Sequence, residues 1–250
     1  MNIRLRFIRE HNRLYKNVLK ILWILQGRDS ARVYMFHSVL NDKADVYSKF
    51  AISTASFEKF LEFELSRGQR PMTEADLKKA VDSPREFNNR FAVSFDDIYD
   101  SVFTNAYPVL KRLNIPFIIF VTPGLIGKTD PASKNPLVTE NHLAELMEDG
   151  LCIVGSHAME HKPFRFYSEF EVIRSMTESG TIMNRKTSIF AFPYGRRVEV
   201  SDRNISCARK AGYAYAFSAL DGSLKQKRFS GRWFLPRILV GEDYVKKHVR

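Results

Sequence analysis

"PFIIFVT", residues 116–122, decides the fold. Its five inner residues, Phe117 to Val121, are all aromatic or β-branched. A run that is apolar at every position predicts a strand covered on both faces, the situation of a central strand in a parallel sheet. On its C-terminal side the Gly- and Pro-rich "PGLIGKTDPASKNP" (123–136) reads as a loop. Outward from there, further strands are expected at 31–36 ("ARVYMF"), 90–95 ("RFAVSF"), 151–154, 188–192 ("SIFAF"), 214–219 ("AYAFSA") and 235–240 ("LPRILV"). Helical patterns fall between them at 54–68, 139–149, 167–184 and 201–211. Residues 100–114 also read as helical, with Pro108 either kinking that helix or starting it. Strands alternating with helices imply parallel βαβ units, and about seven strands suit a barrel or a doubly wound sheet. With no internal repeat and no break in composition, a single domain over residues 29–250 is expected. In either architecture the chemistry belongs at the C-terminal ends of the strands.

Composition narrows the function classes. The chain has 250 residues, enough for one large α/β domain, and its 44% hydrophobic and 27% charged residues are ordinary globular values. Two cysteines, Cys152 and Cys207, cannot make a disulfide framework. The net charge of +11 sits at the ends: residues 1–28 and 225–250 each carry +6, leaving −1 for everything between. A nucleic-acid-binding domain would carry its basic face on the folded body, so nucleic acid is not an expected partner. Leu14, Val18, Leu22 and Leu25 recur at helical spacing among Arg and Lys. Residues 5–26, within a segment bounded at 1–28, therefore read as a basic amphipathic helix, which either packs on the domain or touches a membrane surface peripherally. "VLKILWILQG" is too short to span a bilayer, and no small-residue cleavage site follows it. The expected location is the cytoplasm, with the inner membrane face as the alternative that a lipid-binding helix would give.

Three strand ends carry the chemistry. In "FAVSFDDIYDS" (Phe91 to Ser101) a strand delivers Asp96 and Asp97 together. Adjacent carboxylates repel and resist burial, so either the turn is solvated or a cation sits between them. The strand at 151–154 runs into "GSHAMEHKPF", with His157 and His161, and the strand at 188–192 into Pro193, Tyr194 and Gly195. Either histidine alone would be read as a hydrogen-bonded core or surface residue. Two imidazoles and a carboxylate together form a ligand set for zinc or a similar divalent ion, with a position left open for water. The four-residue spacing brings the histidines together if the segment turns helically. The remaining carboxylate can then act as a base towards that water.

"SFDDIYDS", "SHAMEHKPF" and "FAFPYG", in this order and spacing, resemble the first three motifs of the polysaccharide deacetylase family (NodB homology, carbohydrate esterase family 4). The similarity covers about residues 31–240 and includes the lead-in "YMFHSV". It implies a distorted (β/α) barrel of seven strands and metal-dependent removal of acetyl from an N-acetylated carbohydrate. By position, Asp96 matches the catalytic base, Asp97 the metal aspartate, and His157 and His161 the metal histidines. The Pro193–Tyr194–Gly195 turn matches a wall of the substrate groove, with the Tyr194 N–H helping to hold the oxyanion. Departures are visible too. Ile98 stands where a Gly is usual, Ala191 where an Arg often orients the base, and no late Leu-x-His supplies a general acid. Arg237 could replace that guanidinium beside Asp96 or contact substrate, and His37, ending the first strand, could serve as the acid. The rival expectation is a catalytically impaired relative that binds carbohydrate as a scaffold.

Overall fold

The structure, a computed structural model, describes residues 30–41, 50–131, 133–226 and 231–249. The N-terminal helix expected over 5–26 lies outside them. Among the described residues no helix is long and apolar enough to cross a membrane.

Eight strands share the principal sheet: β1 (Arg32–Phe36), β2 (Arg70–Pro71), β3 (Arg90–Phe95), β4 (Phe117–Val121), β5 (Cys152–Ser156), β6 (Ile189–Ala191), β7 (Tyr215–Phe217) and β8 (Ile238–Leu239). Their order is β7-β6-β5-β4-β3-β1-β8, every pairing is parallel, and the two-residue β2 adds to the start of β3. The all-apolar run at 117–121 is indeed central, buried at every residue between β3 and β5. The two ends of the curled sheet meet on one segment. Leu235 exchanges backbone hydrogen bonds with the β7 side, donating to Ala216 O at 3.0 Å and accepting from Ser218 N–H at 2.8 Å. Three residues later, Ile238 and the following Leu239 pair with Tyr34 and Met35 of β1. A distorted (β/α) barrel of seven principal strands results, as expected from the sequence.

Among the described residues, seven α-helices accompany the strands: α1 (Thr54–Ser66), α2 (Glu74–Asp82), α3 (Tyr107–Arg112), α4 (Glu140–Glu148), α5 (Glu169–Ser179), α6 (Asp202–Lys210) and α7 (Glu242–His248). Five of them start by one device. Ser53, Thr73, Thr139, Ser168 and Ser201 each accept a hydrogen bond from the backbone N–H three residues on. Each such cap is worth about 1 kcal/mol. Period-two alternation then divides the strands between two cores. Tyr34, Phe36, Val93, Phe95, Phe117 and Ile119 face the helices and meet Phe57, Phe60 and Leu61 of α1. Val33, Ala92, Ile118, Phe120 and Phe217 belong to a second cluster.

Several expected elements differ. The helix expected over 167–184 stops at Ser179, before Gly180, and Thr181–Ile182 pairs antiparallel with Arg185–Lys186. Met183 and Asn184, both at positive φ, supply the left-handed pair that a tight hairpin needs. In the 100–114 segment a π-helical turn (Val102–Ala106) leads into α3, and Pro108 sits in the first turn, where its missing N–H breaks nothing. Helices α2 and α7 and strand β2 had no counterpart in the sequence reading.

Candidate active site

Strand register places the rim residues. Phe36 of β1 is level with Phe95 of β3, so His37 and Asp96 leave the sheet side by side, and the Asp96 N–H still donates to Phe36 O at 3.0 Å. Ser156 of β5 is level with Phe190 of β6, which sets His157 beside Ala191. His157 Nδ1 lies 2.8 Å from Ala191 O, and a carbonyl can only accept, so Nδ1 carries the proton. The neutral ring therefore presents a bare Nε2.

That Nε2 is 3.5 Å from Asp97 Oδ1, and His161 Nε2 is 3.1 Å from the same oxygen. The three ligand atoms all lie within 4.8 Å of one another. Asp97 Oδ1 and His157 Nε2 are buried with no hydrogen-bond partner. Two orphaned polar atoms facing one another are costly unless something absent from the chain satisfies both. Around a tetrahedral ion with bonds of about 2.0–2.1 Å, neighbouring ligand atoms stand about 3.3 Å apart, between the two spacings found here. The side chains present thus fit a divalent cation.

The histidines do not converge through a helical turn. Residues 157–161 are irregular, and Ala158 (φ 65°) and His161 (φ 47°) are left-handed, which bends the chain back on itself. Asp97 (φ 63°) and Ile98 (φ 39°) are left-handed as well. For a β-branched residue this is costly, on the order of 1–3 kcal/mol, and such strain persists only where the surroundings over-determine it. Ile98 is buried, so its side chain recovers part of that cost in the core.

Asp96 and Arg237 form a buried ion pair, with both side chains almost wholly shielded. Nη1 and Nη2 donate to Oδ1 and Oδ2 at 2.6 and 2.7 Å, while Nε donates to Ser218 O at 3.0 Å. The guanidinium lies over the Phe120 ring, 5.0 Å from its centroid. Burial by itself would raise the Asp96 pKa, but the guanidinium, helped by His157, holds it well below the usual carboxylate range. Arg237 is 0% exposed and Pro193 is buried, so neither offers surface to a ligand, which corrects the expectation that they contact substrate. Ala191 contributes its carbonyl, and the guanidinium beside Asp96 comes from the other end of the sheet.

His37 stands at the rim with Phe50 against its ring at 4.8 Å and its Nδ1 without a partner. Burial pulls its pKa down, against the pull of Asp96 and Asp97. Tyr194 is 45% exposed and packs over His161 at 4.7 Å between ring centroids. Its φ of 61° and the 49° of Gly195 make a sharp left-handed turn. A Cβ at 195 would stand 2.3 Å from Ala219 N, so only glycine fits.

Burial pushes the His157 pKa down to about 4, with His161 adding to the effect and Asp96 and Asp97 opposing it. The unfolded chain, with a histidine near its ordinary 6.5, binds the proton first as pH falls. Without cation, this group's contribution is fully present above about pH 6.5 and is lost towards pH 4, a difference of about 3 kcal/mol. Denaturant unfolding in chelator at pH 7 and pH 4.5 checks this. His157→Gln should flatten the dependence, and an unchanged slope would refute the assignment.

The model of the family described as polysaccharide deacetylase matches residues 86–216, which carry the aspartates, both histidines and the Tyr194 turn. The chain belongs to the polysaccharide deacetylase family. Among its curated relatives is the poly-beta-1,6-N-acetyl-D-glucosamine N-deacetylase of Staphylococcus aureus, 23% identical over 84% of this chain and 73% of that protein. The enzyme of the same name from Staphylococcus epidermidis is also 23% identical, over 83% and 74%. Of the solved structures, IcaB from Ammonifex degensii superposes with a TM-score of 0.71 at 26% identity, covering 88% of this chain and 95% of that one. The Streptococcus pyogenes deacetylase PplD, at 19% identity and a TM-score of 0.70 over 88% and 98%, shares the fold. Of the positions where departures were expected, Ile98 is buried at positive φ and Ala191 lends its carbonyl to His157. The structure places Arg237 on Asp96 and His37 beside it.

Proposed function

We propose that the protein is a cation-dependent N-deacetylase of a glucosamine polymer or its precursor, with Asp97, His157 and His161 as the ligands. The observation that carries this reading is the pair of orphaned atoms, Asp97 Oδ1 and His157 Nε2, facing one another beside a carboxylate held by Arg237. The choice of sugar follows the names of the staphylococcal relatives. A divalent ion there, zinc being the first candidate, would acidify water and draw charge from the amide oxygen. Asp96, fixed through both oxygens, accepts a proton from the attacking water. The Tyr194 N–H donates to the carbonyl oxygen as it gains negative charge. His37, neutral at the start because its pKa is lowered, relays a proton to the departing nitrogen, so that amide and water become amine and acetate.

The reading of a scaffold that merely binds sugar rested on Ile98, Ala191 and the missing late Leu-x-His, and the guanidinium of Arg237 beside Asp96 answers the second of these. The deciding assay is acetate release from poly-β-1,6-N-acetylglucosamine oligomers. Chelation should abolish release, and zinc or cobalt should restore it. Undiminished release from chelated protein would refute the cation's role. No release from cation-loaded protein on any N-acetylglucosamine polymer would refute the substrate class.

A further inference from the structure

The two halves of the cation site lie on different loops, and each is strained. Asp97 and Ile98 follow β3, while Ala158 and His161 follow β5, all four at positive φ. The chain after β4, residues 122–131 and 133–138, is bonded to both. On the histidine side, the Gly124 N–H donates to Met159 O at 3.0 Å, midway between His157 and His161. The approach is so close that a Cβ at 124 would stand 2.4 Å from that oxygen. The other face of Met159 is braced by Ser175 Oγ, which accepts from its N–H at 3.2 Å.

On the aspartate side, the Val138 N–H donates to Ile98 O and the Asp100 N–H to Pro136 O, each at 3.0 Å, with Tyr99 and Leu137 opposed antiparallel. Tyr99 Oη donates to Asp130 Oδ2 at 3.1 Å, which ties the tip of the segment to the residue two beyond Asp97. Internal bonds join the two arms: Gly127 N–H to Val138 O and Leu137 N–H to Lys128 O, both 2.8 Å, and Lys128 Nζ to Gly124 O at 2.6 Å. The side chain that grips one loop and the glycine that grips the other are thus parts of one cross-linked unit.

We propose that residues 122–131 and 133–138 form a clamp that sets the distance between Asp97 and the two histidines, with Tyr99 and Gly124 as its positioning residues. The inference rests on the reading of Asp97, His157 and His161 as cation ligands. The physical reason is that backbone held in sparsely populated conformations relaxes unless its neighbours fix it, and ligand spacing relaxes with it. Groups behind the ligands are worth about 10–100-fold in metal affinity. The clamp is the route by which side chains remote from the ion gain that leverage here.

The test is calorimetric titration with Zn2+, together with the visible absorption of Co2+, on the full chain and three variants. Tyr99→Phe keeps the buried ring and removes only the hydroxyl's bonds to Asp130 and Ser133, both in the segment. Gly124→Ala forces the Met159 peptide away. Tyr107→Phe is the control, removing the 2.6 Å bond to Asp149, which lies before β5 at the opposite ends of the strands. The clamp predicts about tenfold weaker binding in Tyr99→Phe, a larger loss in Gly124→Ala, altered Co2+ spectra in both, and neither effect in Tyr107→Phe. Should Gly124→Ala not fold, Tyr99→Phe alone decides. Zn2+ binding and Co2+ spectra in Tyr99→Phe equal to the parent's would overturn the clamp while leaving the cation site standing. No binding by the parent chain would overturn the cation site itself, and the clamp with it.

Discussion

Asp96→Asn is expected to lower turnover about 10²–10⁴-fold, the usual worth of a positioned base, while cation affinity stays near the parent value. Asp97→Asn is expected to lose the cation and activity together. The distinction follows from geometry. Asp97 Oδ1 is the oxygen shared by both imidazoles, whereas both Asp96 oxygens are taken up by Arg237, and its nearer approach to His157 is 4.0 Å. Acetate release and cation content measured on the same preparations separate the two roles. Cation lost from Asp96→Asn but kept by Asp97→Asn would reverse the assignment. In the same assay His37→Gln should retain the cation and lose turnover if the ring relays the proton. Turnover at the parent level would leave His37 a structural residue of the rim.

Arg237→Met should be the most destabilising single change in the site. It leaves the Asp96 carboxylate buried without its counter-charge, a loss of about 3–5 kcal/mol when one partner of a buried pair is removed. The guanidinium is what holds the Asp96 pKa down against burial, so its removal lets that pKa rise. The base then protonates at higher pH, and the acid limb of the activity profile moves upwards. Denaturant unfolding and a pH–rate profile read the two effects separately. The pair is coupled, so Asp96→Asn combined with Arg237→Met should unfold less readily than the sum of the single changes predicts. Strict additivity would mean that the contact contributes nothing as a pair.

Much of this was legible in the chain because it depends on short-range pattern. An all-apolar run marks the central strand, and the C-terminal-end rule then gathers Asp96, Asp97, His157 and the Tyr194 turn from separate segments. What escaped depends on backbone conformation or on distant partners. Helix α2 is announced only by a reciprocal cap, Thr73 with Asp76, and not by a long apolar face. Spacing alone suggested a helical turn for His157 and His161, because nothing in "HAMEH" signals left-handed residues at 158 and 161. The pairing of Asp96 with Arg237 spans 141 residues, and sequence offered it as one of two options. The loop at 123–136 read only as turn-rich, since composition reports that a chain bends and not what it grips.

The strand that seals the sheet, β8 with Leu235 before it, also brings Arg237 to Asp96. Of the principal strands it is the last to emerge during synthesis. Until it is in place the Asp96 carboxylate lacks the guanidinium that both its oxygens accept from. Closure of the sheet and completion of the Asp96–Arg237 pair are therefore one event.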